Sequence, residues 1–520
     1  MFHFNLTLAM KFNNILTFGT LAICASAMTS CGSDWLDIPN NTQRPVEEYY
    51  TTDAAIQESL VAAYDPMCWF DYGNNYCGLN IMPDTWADEL FVGGKDANDM
   101  TQWKHAWNFT HTPSTVGDLT IYSNLYSGVK RCNDAIKYMD EYWTDGKTEA
   151  KYAYYRDQVI SLRAFYYNWL WHFWGNIVYY DKNPDNFFAP QYTADEVYEF
   201  IVTDLESVIA SNSLKWKSDV ADYGRITMPF VYMLYTEVVM YQNDTARFPK
   251  ALEYMKQIIN SSDYDLVNDY ASIWKVENEW CKESIYEINY SDYLGQRNWS
   301  WGGTSGGSVV PAMILPRNYD KRDGLHDGGG WGFGCVRRSV YNAYDEKDVR
   351  RDASIWEPAE GSYEVGYQDT GLFLAKYAGL IGGNSGNIAD ATLNYNNNYR
   401  LYRYAEALLN AAELVVRGAG SGDAQGWLDK VRSRAGLGSV PATLENILQE
   451  RKFEFLGEGK RYWDIIRSGL GETLLVPDNE LPNPNENRTG RYTPNKKYLP
   501  FPQSEIDQAN GGITQNPYND

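Results

Sequence analysis

Apolar residues in this chain recur three and four positions apart over long stretches, the interval that lays them along one face of a helix. Residues 399–417 carry the pattern in its plainest form. Leu401, Ala405, Leu408, Ala412 and Val415 alternate steps of four and three, and Gly418 stands where such a helix would stop. Residues 119–142 repeat it through Ile121, Leu125, Val129, Cys132 and Ile136. Val46 to Tyr64 opens on Glu47 and Glu48 and sets Ile56, Leu60 and Ala63 on one side. Residues 150–174 form an aromatic helix ending near Gly175, and Thr193 with Glu196 makes a capping box for 193–211. Segments 227–242 and 247–260 make another pair. A short helix follows at about 423–434, and Thr443 caps a longer one reaching about Arg467. Alanines at 405, 407, 411 and 412 let neighbouring helices approach closely.

Helix pairs joined by short turns predict a mainly α fold, a tetratricopeptide-like helical scaffold, although the full consensus of that repeat is not present. Between about 262 and 398, Gly and Asn dominate and the helical period vanishes. A large loop-rich irregular insertion is therefore expected between helical blocks at about 47–261 and 399–469.

The first thirty residues read differently. Lys11 precedes an apolar run from Ile15 to Met28, too short and too rich in Ser, Thr and Gly to span a membrane as a helix. Residues 1–9 carry no charge, so Met10 is read as the start of the signal. Cys31 follows Met28-Thr29-Ser30, small residues leading to a cysteine as in a bacterial lipobox. The expected organisation is a lipoprotein signal peptide over 1–30, a lipid-anchored tether over 31–46 with Cys31 as the lipidated residue, and a single large domain over 47–520. Five cysteines remain beyond Cys31. Secretion permits disulfides, and Cys68 and Cys77 enclose a short loop and could pair.

Charge narrows the partners. Lys and Arg total 45 against 68 Asp and Glu, a formal charge of −23. That excludes nucleic acid, which demands a basic surface, and adhesion to an anionic leaflet by charge. Motifs for chemistry are weak. Gly303 to Gly307 matches G-x-S-x-G, but Pro311 and more glycine follow rather than a helix, so a loop is expected. The histidines stand beside no evident nucleophile. Asp320, Asp323 and Asp327 do not have the spacing of a calcium loop. Glu450, Glu454 and Glu458, with Arg451 and Arg461 near, read as a structural ion-pair network. No catalytic residue, metal site or cofactor is assigned.

Aromatic residues are 15% of the chain, including 42 Tyr and 18 Trp. Those on helices, such as Tyr166, Tyr167, Trp169 and Trp171, belong to the core. Those in loops are more informative: MCWFDYGNNY over 67–76, WKHAWNF over 103–109, YLGQRNWSW over 293–301 and GGGWGFG over 328–334. Glycine beside Trp exposes a ring, on which the C–H face of a sugar can stack while Asn, Asp and Arg hold its hydroxyls. Trp69, Tyr72, Trp86, Trp103, Trp299, Trp301 and Trp331 are the expected glycan-stacking residues; packing is the alternative for each cluster.

Longer motifs carry a resemblance. Residues 399–436 contain YRLYRYAEALLNAAELVVRG and WLDKVRSRAGL, residues 450–469 read ERKFEFLGEGKRYWDIIRSG, and residues 498–518 read YLPFPQSEIDQANGGITQNPY. With SLRAFYYNWLWHFWGNIVYY, YGRITMPFVYMLYTEVVMYQ and SCGSDWLDIPN upstream in order, the chain resembles the SusD/RagB family of outer-membrane lipoproteins. The resemblance implies a lipid anchor in the outer leaflet, with the protein on the extracellular face of the outer membrane. It implies capture of oligosaccharide, delivery to a SusC-like TonB-dependent transporter as partner, and no catalysis. The alternatives are a lipid-anchored glycoside hydrolase or a helical module that binds peptides or proteins.

Overall fold

The structure, a computed structural model, describes residues 44–518 apart from 73–75, 118, 185–189, 294–296, 301–305 and 386–388. Cys31, Trp301 and the stretch Gly303 to Ser305 lie outside the described residues. The chain divides into two units, 1–49 and 50–520. In the first, the described residues hold one short helix, Val46–Tyr49.

The second unit is built on helices that pack each against the next. These are α1 (Asp53–Tyr64), α2 (Ile121–Glu141), α3 (Glu149–Trp174), α4 (Ala194–Ser211), α5 (Met228–Gln242) and α6 (Phe248–Ile259). After the irregular middle, α7 (Tyr404–Val416) packs on α6 and is flanked by α8 (Ala424–Arg434) and α9 (Leu444–Glu454). This is the expected tetratricopeptide-like scaffold. Neighbours approach closely where side chains are small. A Cβ on Gly128 of α2 would meet the Tyr166 ring of α3 at 2.6 Å, and Ala405, Ala407, Ala411 and Ala412 of α7 are fully buried. The capping box of α4 forms as expected, each partner satisfying the other's backbone N–H. The helical aromatics Tyr166, Tyr167, Trp169 and Trp171 are core.

Six short strands form three antiparallel ribbons among the described residues: β1 (Ile177–Val178) with β2 (Gln191–Tyr192), β3 (Ser284–Ile288) with β6 (Tyr399–Arg403), and β4 (Ile355–Trp356) with β5 (Phe373–Leu374).

Three expected helices end differently. Thr52 starts α1 afresh by accepting from the Ala55 N–H, so Val46 to Tyr64 is not continuous. Tyr399–Arg403 is strand β6, because pairing with the buried β3 outweighs the helical period that runs through Leu401. The helix from Thr443 stops at Glu454 and resumes only as α10 (Arg461–Arg467). Gly457 and Gly459 between them have φ of +75° and +78°, and a Cβ on Gly459 would lie 2.0 Å from the Leu79 carbonyl oxygen. The Asp84 carboxylate then accepts from the Gly459 and Arg461 N–H groups, at 2.8 and 3.1 Å.

The five cysteines at 68, 77, 132, 281 and 335 are unbridged. The Cys68–Cys77 pairing is therefore not made. Cys68 instead donates to the Asn289 carbonyl at 3.6 Å, and burial pushes both thiols up to about 12.

The ion-pair network forms, with other partners than its sequence neighbours. Glu450, Glu454 and Glu458 meet Arg350, Lys376, Arg403, Arg432 and Arg434. Arg451 turns instead to Asp464, and Arg461 to Asp88.

Glu89 is the opposite case. Its carboxyl is fully buried, and neither oxygen has a hydrogen-bond partner among the described residues. Burial first, and the Asp84 carboxylate second, hold its pKa well above the ordinary value. The folded state thus keeps a proton that the unfolded chain releases near pH 4, so this group weakens the fold as pH rises. Glu89→Gln is expected to match the wild type near pH 4 and to become more stable than it with increasing pH. The gap grows by at most about 1.4 kcal/mol per unit. Urea midpoints of both proteins from pH 4.5 to 8 measure it; a constant difference across that range would contradict the assignment.

Candidate functional site

A cleft between the irregular middle and the segment 76–100 gathers loop aromatics with polar groups. It has a volume of about 480 Å³ and is lined by Tyr76, Trp299, Trp331, Phe333, Arg317 and the turn 95–100. The Trp299 and Trp331 rings lie 5.9 Å apart between centroids and are inclined by 41°. Tyr76 meets Trp331 edge-on at 5.0 Å. Trp299 is 53% exposed, and Trp331 half-buried.

Trp331 is fixed by its glycines. The string 330–334 threads between two other segments. Trp331, Gly332 and Phe333 donate their N–H groups to Ala312, Leu315 and Met313, while Gly334 donates to Val92. A Cβ on Gly330 would lie 2.3 Å from the Leu315 carbonyl oxygen, and Gly332 has φ of +77°, a region that favours glycine. Only this composition lets the backbone pass so close to its neighbours while leaving the indole at the surface.

Trp299 is held through the residues before it. Arg297 is fully buried and donates to Asp71 at 2.8 Å and to the Cys68 carbonyl. Asp71 also accepts from the Ser308 hydroxyl and the Val309 N–H, both at 2.8 Å. The Tyr72 hydroxyl donates to the Asn298 carbonyl at 2.8 Å, and the Trp299 N–H donates to Asp390 at 2.9 Å.

The polar wall is an ordered turn. Gly94 donates to the Gly332 carbonyl at 2.8 Å, tying the turn to the Trp331 string. The Asp99 carboxylate accepts from the Lys95 N–H at 2.9 Å and the Asp96 carboxylate from the Asn98 N–H at 2.8 Å. Lys104 donates to the carbonyls of Asp96 and Asp99, and burial draws its pKa down to about 8. Arg317, on the other side, faces Glu364 at 3.4 Å. Aromatic faces flanked by fixed amide, carboxylate and guanidinium groups suit a neutral, polyhydroxylated ligand.

The other expected platforms fall elsewhere. Trp86 is buried between Phe173 and Tyr462, and Trp103 is fully buried against Phe333. Both expectations are corrected, because each ring sits on a short helix, Met82–Trp86 and Thr101–Trp107, that turns it inward. Tyr72 is only 3% exposed, with the Arg297 guanidinium 4.9 Å from its ring centre. It positions the Trp299 loop rather than offering a face. Trp69 is half-buried beneath Arg131, 4.6 Å from its ring centre, outside the cleft. Tyr76, Arg317 and the turn 95–100 went unselected in the sequence, though GGKDANDM carries turn residues that a binding loop would use. Size alone does not choose the site. A larger groove of about 740 Å³ between α2 and the segment 505–513 is lined by none of the expected residues.

The fold and cleft describe a helical-repeat protein with a candidate aromatic site beside an irregular insertion. Residues 273–518 match the SusD family, and residues 34–227 match a family described as starch-binding, associating with outer membrane. The chain is similar to surface glycan-binding protein A from Bacteroides thetaiotaomicron in complex with laminarihexaose. Identity is 47%, the TM-score is 0.85, and the match covers 90% of this chain and 100% of that one. The protein of the same description from Bacteroides uniformis is 42% identical with a TM-score of 0.81, covering 90% and 100%. SusD-like protein P2 of Formosa agariphila is 27% identical over 96% of this chain and 98% of its own length. The chain belongs to the SusD family. Membership places it among binding proteins, not enzymes.

Proposed function

We propose that this protein binds a neutral glucan at the cell surface, in the cleft of Trp299 and Trp331, and passes it to a SusC-like TonB-dependent transporter. The observation that carries the reading is the exposed Trp299 and half-buried Trp331 indoles, inclined by 41° beside a fixed polar turn. It stands in a chain 47% identical to a protein solved with laminarihexaose. Two rings that are not coplanar suit a chain whose successive sugars turn, as β-1,3-linked glucose does, better than a flat ribbon. Trp301, two positions after Trp299 in the sequence and outside the described residues, is a further proposed stacking residue.

Ring stacking contributes ~0.5–1.5 kcal/mol per ring beyond area burial. Hydroxyl hydrogen bonds contribute ~1 kcal/mol each. These increments are small beside an association cost of ~4–15 kcal/mol, so a modest affinity, between ~1 mM and ~1 μM, is the expected result. Such weak capture suits release to a transporter. Cys31 carries the lipid that holds the protein on the outer face.

Titration of the chain lacking residues 1–30 with laminarihexaose is the direct test, with reducing ends assayed in the same tube. Saturable binding without released ends is expected. Binding to peptides but to no glucan would overturn the reading. Cys31→Ala is expected to release the protein from the cell surface; persistent surface display would remove the anchor.

A further inference from the structure

A second open cleft, of about 420 Å³, shares no lining residue with the first. Its wall is Trp356 of β4, which the pairing of Ile355–Trp356 with Phe373–Leu374 fixes in place. The His326 ring stacks on Trp356 at 3.8 Å and 15°, and Tyr319 meets it edge-on at 4.9 Å. Asp323 locks this stack. Its carboxylate accepts from His326 Nδ1 at 2.6 Å and from the His326 N–H at 3.0 Å, and its own N–H donates to the Tyr319 hydroxyl. With Nδ1 committed to a carboxylate, Nε2 is the polar atom the ring has left.

A stack built only for packing would close over its rings. Here Trp356 and Tyr341 remain half-exposed and Leu325 is 55% exposed, while Ala353, Ala375 and Ala378 keep the floor clear. The rim is polar but balanced. Asp352 pairs with Arg351 at 2.8 Å and Glu357 with Arg338 at 3.1 Å, so neither carboxylate asks for a cationic ligand. Lys275 supplies a donor. A pre-set indole, a neutralised rim and a floor of small residues describe a site for an uncharged sugar ring.

We propose that the Trp356 cleft is a second saccharide-binding site, taking a separate short segment of neutral glucan. This rests on the glucan-binding reading of the first cleft, and the two fail in different ways. The W299A/W331A chain, its first cleft weakened, is titrated with laminarihexaose into the millimolar range, followed by tryptophan fluorescence and by ligand-observed nuclear magnetic resonance. Saturable binding that depends on Trp356 is expected to persist, and adding Trp356→Ala is expected to weaken it by about 2- to 12-fold. Lys275→Ala, an exposed change that leaves the core untouched, is expected to weaken it less. This keeps the test valid if the Trp356 variant unfolds. No saturable binding by W299A/W331A, or binding indifferent to both further changes, overturns the second site while wild-type binding still supports the first. Absence of binding in the wild type overturns both.

Discussion

Replacing Trp299 and Trp331 together by alanine lowers the affinity for laminarihexaose by about 5- to 150-fold, with the melting temperature nearly unchanged. The range follows from two stacked rings at ~0.5–1.5 kcal/mol each, since every 1.4 kcal/mol is tenfold. Stability should hold because Trp299 is 53% exposed and the Trp331 loop is fixed by backbone hydrogen bonds rather than by its indole. Each single change should cost part of this, and the pair need not add, because rings 5.9 Å apart share one ligand. Trp103→Ala is the contrasting control. That ring is fully buried, so its loss opens a core cavity, and the protein destabilises by ~3–5 kcal/mol. Calorimetric titration beside thermal melts separates the two. Unchanged affinity in the Trp299/Trp331 variant would move the site out of this cleft.

The contrast shows what the sequence could say about the site. Trp299 and Trp331 line the cleft in loops of glycine and short polar residues, a local feature that can be read in the sequence, although Phe333 between two glycines is buried. Trp86 and Trp103 looked similar in isolation. What turned them inward was the packing of two short helices against Phe173, Tyr462 and Phe333, residues distant in the chain. Tyr72 was found for the wrong reason. Its contribution is a hydrogen bond to Asn298 across more than two hundred residues, which no local pattern encodes. The helices were legible because their period is local. They failed where a long-range contact decided the backbone, as at Gly459, which the Leu79 carbonyl forces to remain without a side chain.

Arg403→Met is expected to destabilise the protein by ~3–5 kcal/mol, the scale for removing one partner of a buried ion pair. Arg403 is 1% exposed, and its N–H groups meet the Glu283, Glu454 and Glu458 carboxylates and the Glu454 carbonyl at 2.6–3.2 Å. The cluster around it also holds Asp348, Arg350 and Lys376 from the irregular middle, and Arg432, Arg434 and Glu450 from the helical block. Five cations thus face five carboxylates, and the insertion that bears the cleft is clamped to the scaffold through them. Methionine fills a similar volume, so the cost is chiefly uncompensated charge rather than a cavity. The sign of the pH dependence distinguishes these. In the wild type the neighbouring cations hold Glu454 far below the ordinary carboxylate range, so its stabilisation is complete above the unfolded value near pH 4 and is lost progressively as pH falls below it. Without Arg403 the three carboxylates repel one another and Glu454 loses one of the cations that hold its pKa down, so acid relieves the variant first. The urea-midpoint gap between wild type and variant should therefore be widest near pH 7 and narrow as pH falls towards 4. Arg403→Lys, which keeps the charge but loses the fork of donors, should fall between the two. A gap independent of pH would mean that lost packing, not the charge cluster, holds the insertion in place.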